Sequence, residues 1–188
     1  MGVLVFAAAK TPSVPVKAIG LAVGPASRAG HDAGQPAGSG QVNWMTMEEA
    51  TAKLQKEQRP VLVDLYTSWC GWCKQMDKKT YSNKQVAQYV LDNYYPVKID
   101  AETHSVINWK GKSYQFSPDF RSNEFAVYLT GGRLEFPTTI IIPPGGEPQA
   151  IPGYMEPKEI ELLLRYFGEG NYKKSSFEDF QKRFKPSW

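Results

Sequence analysis

The sequence predicts an α/β fold, a sheet with helices on both faces, and three observations carry that prediction. The stretch "RPVLVDLYTS" is apolar at almost every position from Val61 to Tyr66, the mark of a central strand covered on both faces. After it comes a helix, "NKQVAQYVLDNY", with Val86, Tyr89 and Val90 on one side, and then a second strand, "YYPVKIDA", which completes a βαβ unit. Further on, "NEFAVYLTGG", "EFPTTIIIPPGGEPQAIPG" and "EPKEIELLLRYF" read as a glycine-stopped helix, two strands about a Pro/Gly turn, and an amphipathic helix with Pro157 in its first turn.

The first forty residues differ from the rest. They are rich in Ala, Gly, Pro, Ser and Val and carry almost no large side chains after Phe6, so residues 1–40 read as an apolar leader followed by a flexible tether that holds His31. "MGVLVFAAAK" looks like the second half of a signal peptide without its charged start, which points to export into the periplasm or cell envelope, with the cytoplasm as the alternative. The folded domain is expected over residues 41–188. It opens with a capping box, Thr46 with Glu49, and a second capping signal, Ser82 with Gln85, starts the helix after the cysteines.

Within "ETHSVINWKGKSYQFSPDFRS" two short aromatic-rich runs meet at Lys110 and Gly111, which predicts a β-hairpin inserted after the second strand. A role for it in bordering the active site and selecting docking proteins stands beside plain packing on the domain. A last helix, "SFEDFQKRF", puts Phe177, Phe180 and Phe184 on one face. Docking on the domain is the expected use of that face, with a membrane surface as the alternative.

The chain has 188 residues and a formal net charge of +3 spread along its length. Without a dense Lys/Arg stripe, nucleic acid is not an expected partner. A run of eighteen apolar residues is missing, so no membrane-spanning helix is expected. Two cysteines are too few for a disulfide scaffold.

Those two, Cys70 and Cys73, lie in "LYTSWCGWCKQMDKK", where the first strand gives way to a helix. Cys70 is expected at the helix N-terminus, where the macrodipole favours a thiolate, and Lys74 adds a positive charge. Residues three apart across a helix start have Cα atoms about 5–6 Å apart, within reach of a disulfide. Cys70, expected to face solvent, would attack a substrate disulfide, and the inward-facing Cys73 would resolve the mixed disulfide. Asp64, a carboxylate inside an apolar strand, is the candidate acceptor for the Cys73 proton, its affinity raised by burial; a surface carboxylate at an exposed strand end is the other reading. An inert structural bridge, half of a metal site and accidental spacing are the competing readings of the pair. Zinc lacks ligands, since only His31 and His104 accompany the cysteines, and no metal is expected.

"VLVDLYTSWCGWCK", followed by a helix, "VKID" and a later "FPTTIII", resembles the thioredoxin superfamily over roughly Gln41 to Phe167. The matching positions are Asp64, Trp69, Cys70, Gly71, Cys73, Lys74, Pro137 and Gly153. The resemblance implies a thioredoxin-like fold with a central mixed sheet, here with a hairpin insertion and an extra C-terminal helix. It implies that Pro137 is the family's cis-proline, that Phe136 presents backbone to the substrate chain, and that Trp69, Gly71, Trp72 and Gly153 belong to the substrate surface. The activity implied is thiol-disulfide exchange, with protein disulfides or dithiols as substrates, an upstream thiol electron donor, no cofactor beyond the cysteine pair, and a monomer acting as a reductant. A non-catalytic, redox-sensing binding module is the alternative. The chain departs from thioredoxin at Trp72, where a proline is usual and where the intervening residues influence the stability of the disulfide. It departs again at Pro96, which occupies the place of the lysine that partners the buried aspartate; Lys98, two residues on, is expected to substitute.

Overall fold

The computed structural model of the protein describes residues 40–188, so the expected leader and tether, His31 included, lie outside the described residues. The four-stranded sheet has the order β2-β1-β7-β8, with β1 Val61–Tyr66, β2 Tyr95–Asp100, β7 Thr138–Ile142 and β8 Gln149–Pro152. β1 runs parallel to β2 and antiparallel to β7, and β7 is antiparallel to β8, so the sheet is mixed. The alternation of side chains along β1 divides the core in two. Val61, Val63 and Leu65 pack with Met47 and Ala50 of α1 (Met47–Leu54) and Phe125, Ala126 and Leu129 of α4 (Glu124–Thr130). Leu62, on the other face, packs with Met76 of α2 (Gly71–Met76), Val86 and Val90 of α3 (Lys84–Asn93), and Ile160 and Leu164 of α5 (Pro157–Gly168).

Local chemistry starts and stops these helices. Thr46 and Glu49 form the capping box of α1, and Gly131 ends α4 in the left-handed region at φ 60°, where a side chain would be strained. The cap of α3 corrects the sequence reading. Ser82 is still right-handed helical and its hydroxyl turns back to the Lys78 carbonyl, so Asn83 takes the cap, its Oδ1 accepting from the Gln85 and Val86 amides at 2.9 and 3.2 Å. Between α2 and α3 the chain makes a π-helical turn, Asp77–Tyr81, that apolar periodicity did not signal.

The inserted hairpin is β3 (Ile107–Trp109) and β4 (Lys112–Tyr114), turned by Lys110 and Gly111 at φ 49° and 77°. A second short pair follows that the sequence did not announce, β5 (Phe116–Ser117) with β6 (Ser122–Asn123). The hairpin does not border the cysteines. Ile107, Trp109 and Tyr114 are core residues, and at the tip Lys110 reaches the Gly146 carbonyl and Glu147, beyond the end of β7 that lies farthest from Pro137. The last helix, α6 (Phe177–Arg183), lays Phe177 and Phe180 against Tyr166 of α5, with ring centroids 5.2 and 5.4 Å apart. Its aromatic face is therefore a packing face. No helix among the described residues is long and apolar enough to cross a membrane.

Glu161 of α5 is fully buried and holds the final residues in place. Its carboxylate accepts from the Ser187 amide (2.7 Å), the Ser187 hydroxyl, the Trp188 amide (3.1 Å) and Arg165 Nε (2.9 Å). Trp188 lies beside Tyr89 and under the Arg165 guanidinium. A buried carboxylate left short of partners is costly. Deleting Ser187 and Trp188 is expected to lower the free energy of unfolding by about 3 kcal/mol, read from urea denaturation against the full chain.

Candidate active site

β1 ends at Tyr66, and Thr67 to Trp69 carry the chain over to α2, placing Cys70 at the N-cap with extended backbone. Cys70 and Cys73 are joined in a disulfide with Cα atoms 5.3 Å apart, and Cys70 Sγ accepts from the Cys73 amide at 3.1 Å. The same helix-start donor would hold a Cys70 thiolate. The expected contrast in exposure is absent in this disulfide form, with Cys70 5% and Cys73 3% exposed. By contrast Trp69 and Trp72, which flank the pair in sequence, are 64% and 65% exposed, and each meets another ring, Phe136 at 5.9 Å for Trp69 and Tyr154 at 5.6 Å for Trp72. Trp69 Nε1 donates to Glu102 Oε1 at 3.0 Å, which ties the cysteine loop to the loop after β2.

The Phe136–Pro137 peptide bond is cis, and it lies where the chain enters β7. The Gly153 amide donates to the Pro137 carbonyl at 2.8 Å, and Gly153 adopts φ 106°, a conformation that favours glycine. Gly71 has no such demand on it: a Cβ there would meet nothing within 4 Å. Lys74 is exposed on the first turn after the cysteines. His104 stacks on Phe116 with ring centroids 3.9 Å apart, and no group of three or more His, Cys, Asp or Glu side chains that could hold a metal occurs among the described residues.

On the α2 face of the sheet, the face of Leu62, Asp64 is 2% exposed. Its Oδ2 accepts from Lys98 Nζ at 2.6 Å, while Oδ1 has no partner among the described residues. Burial pushes the Asp64 carboxyl up to about 6, against the pull of Lys98. Lys98 is the Cα partner of Asp64 in the β1–β2 register, and Pro96, where the resemblance to thioredoxin expects a lysine, pairs with Leu62. Burial lowers the affinity of Lys98 for its proton, but Asp64 and Asp77 together more than offset this and hold its pKa above the ordinary lysine value. Lys98 Nζ also lies 4.8 Å from the Tyr66 ring centre and 5.3 Å from that of Trp44. Asp77, the second acceptor of the ammonium, was not singled out from the sequence, although it stands four residues after Cys73 and so on the same helical face.

The raised Asp64 value has a defined consequence for stability. Between the unfolded value of 3.8 and the folded value of about 6, the native state holds more proton than the unfolded chain, so stability falls as pH rises through this window. The contribution lost is about 3 kcal/mol. Asp64→Asn removes it: relative to the parent, the variant is expected to gain about 3 kcal/mol between about pH 3 and about pH 7.5, measured by urea denaturation of the disulfide form.

Comparison with known proteins agrees with this architecture. Residues 47–168 match the thioredoxin-like domain family. Over 62 residues, 32% of this chain, the sequence is 29% identical to spermatogenesis-associated protein 20 from Homo sapiens, and over 58 residues, 31% of the chain, it is 29% identical to the thiol:disulfide interchange protein DsbD from Campylobacter jejuni. These matches span 8% and 10% of the two proteins, so the chain resembles a small part of each. A thioredoxin-fold protein from Helicobacter pylori superposes on 67% of this chain and 80% of its own, with a TM-score of 0.51 and 16% identity, a likeness of fold. With the family matched across most of the described residues, and with its cysteine pair at the start of α2, the chain belongs to the thioredoxin-like domain family.

Proposed function

We propose that the protein is a thiol-disulfide oxidoreductase that exchanges disulfides with protein substrates and works as a reductant. The observation that carries this reading is the Cys70–Cys73 pair at a helix start, together with a buried Asp64 on the α2 face of the sheet that has one carboxylate oxygen unengaged among the described residues. In the reduced protein the Cys70 thiolate attacks one sulfur of a substrate disulfide, forming a mixed disulfide and expelling the other substrate sulfur as a thiolate. Cys73 then passes its thiol proton to Asp64, and the Cys73 thiolate attacks the Cys70 sulfur. The second substrate thiolate leaves, the Cys70–Cys73 disulfide closes, and two electrons have moved to the substrate. An upstream thiol donor would return the pair to the dithiol.

The surface around the pair supports protein substrates. Exposed Trp69 and Trp72, each against a further ring at Phe136 or Tyr154, offer apolar surface next to the cysteines in sequence, and the cis Phe136–Pro137 segment is held by the Gly153 amide. The reducing direction is supported by charge: Asp64 and Asp77 set two carboxylates against the single Lys98 ammonium on the Cys73 side, which disfavours a thiolate there and so favours the disulfide. Disulfides persist in oxidising compartments, which supports the periplasm or cell envelope as the place of action.

Cys73→Ser is expected to accumulate mixed disulfides between Cys70 and proteins of the host, seen as reductant-sensitive adducts on non-reducing gels, and Cys70→Ser is expected to form none. Partner capture by Cys73→Ser without covalent adducts would instead establish a binding module. The reduction potential, read against a glutathione buffer, is expected nearer thioredoxin's, about −270 mV, than the strongly oxidising value of about −120 mV.

A further inference from the structure

Lys98 makes two ion pairs among the described residues, and they differ in exposure. Asp64 is 2% exposed and Asp77 43%, with the ammonium between them and the Tyr66 and Trp44 rings beside it. The strand register fixes the first pair, because Asp64 and Lys98 are direct neighbours across β1 and β2. The helix fixes the second. Asp77 closes α2 with its amide donating to the Cys73 and Lys74 carbonyls, so it stands one turn beyond the resolving cysteine on the face turned toward the sheet.

From this geometry we infer that Asp77 is a positioning residue of the exchange reaction: it shares the Lys98 ammonium with Asp64 and thereby keeps Asp64 able to take the Cys73 proton. The inference rests on the exchange reading above. An ammonium committed wholly to Asp64 would stabilise the carboxylate and make it a poor acceptor. Sharing weakens that hold, and the Asp77 charge opposes Asp64 ionisation directly. Once the Cys73 S–H bond gives its proton to Asp64, the carboxylate becomes a neutral acid and Lys98 would be stranded in a half-buried site. Asp77 keeps it paired. The other groups facing Asp64 leave this assignment intact: burial holds the Tyr81 hydroxyl, which shares a 3.3 Å hydrogen bond with Thr139 of β7, well above its ordinary pKa, and Tyr66 is likewise raised, so both stay neutral where Asp64 titrates.

The test is the reaction of the reduced full-length protein with Ellman's disulfide, followed by stopped flow across pH. The first thiolate is released when Cys70 attacks, and the second when Cys73 displaces the mixed disulfide, so the second phase reports the step that Asp64 serves. Asp77→Asn is expected to move the pH midpoint of the second phase down by about one unit. Asp77→Glu is expected to restore it, and Lys98→Met, which removes the ammonium, to move it up. A midpoint unmoved by Asp77→Asn beside two normal phases, or one that Asp77→Glu fails to restore, overturns the role of Asp77 and leaves exchange standing. Release of only one equivalent by the parent protein overturns exchange itself, and the role of Asp77 with it.

Discussion

A single carboxylate placed inside the central strand constrains much of what surrounds it. Asp64 shares its face of β1 with Leu62, in a strand whose other buried side chains give a charge nothing, and burial of such a group is unfavourable unless a counter-charge comes close. Lys98 supplies it only because β2 runs parallel to β1 in the register that sets the two residues side by side. A slip of one residue would turn Lys98 to the other face of the sheet and bring Val97 or Ile99 opposite the carboxylate. The parallel pairing, the position of α3 as the crossover, and the arrival of Asp77 at the end of α2 are all tied to this one contact.

The same strand carries the chemistry to its end. Because β1 is central, its C-terminus opens next to the start of β7, and the chain entering β7 passes through Phe136 and Pro137. The cysteines, the cis-peptide segment and the Glu102 loop after β2 therefore converge at one end of the sheet, where loops from parallel strands emerge. The hairpin β3–β4 runs the other way. Its aromatic residues complete the core on the α1 and α4 face, which the four strands alone leave partly uncovered.

Features written in short-range pattern were legible in the sequence: the buried strand, the Thr46 capping box, Pro157 at the head of α5, the Lys110–Gly111 turn, and the cysteine pair with Asp64 upstream. Each depends on a few neighbouring residues and on burial that composition reveals. What was missed depends on distance or on competition between equals. Asn83 displaced Ser82 as a cap because the π turn carries helical backbone one residue further, and nothing in the local pattern announces a π turn. Asp77 matters because a lysine on another strand finds it, and a charged residue on a helix otherwise reads as solvated surface. Glu161 looks like an ordinary helix carboxylate until Ser187 and Trp188 fold back upon it. The exposure expected of Cys70 failed as well, and the two tryptophans that flank the pair in sequence meet Phe136 and Tyr154, partners far along the chain that no local pattern announces.

Pro96 acquires a second meaning from the strand order. β2 and β8 are the two outer strands, and each contains a proline, Pro96 in one and Pro152 in the other. A proline cannot donate to a neighbouring backbone, and on an outer strand it interrupts the row of amides that would recruit a further strand. The Met45 amide occupies the Pro96 carbonyl as well, and the four residues of β8 offer little length to a newcomer. The proline at position 96, where the resemblance to thioredoxin expects a lysine, thus helps to guard the sheet against strand-to-strand aggregation.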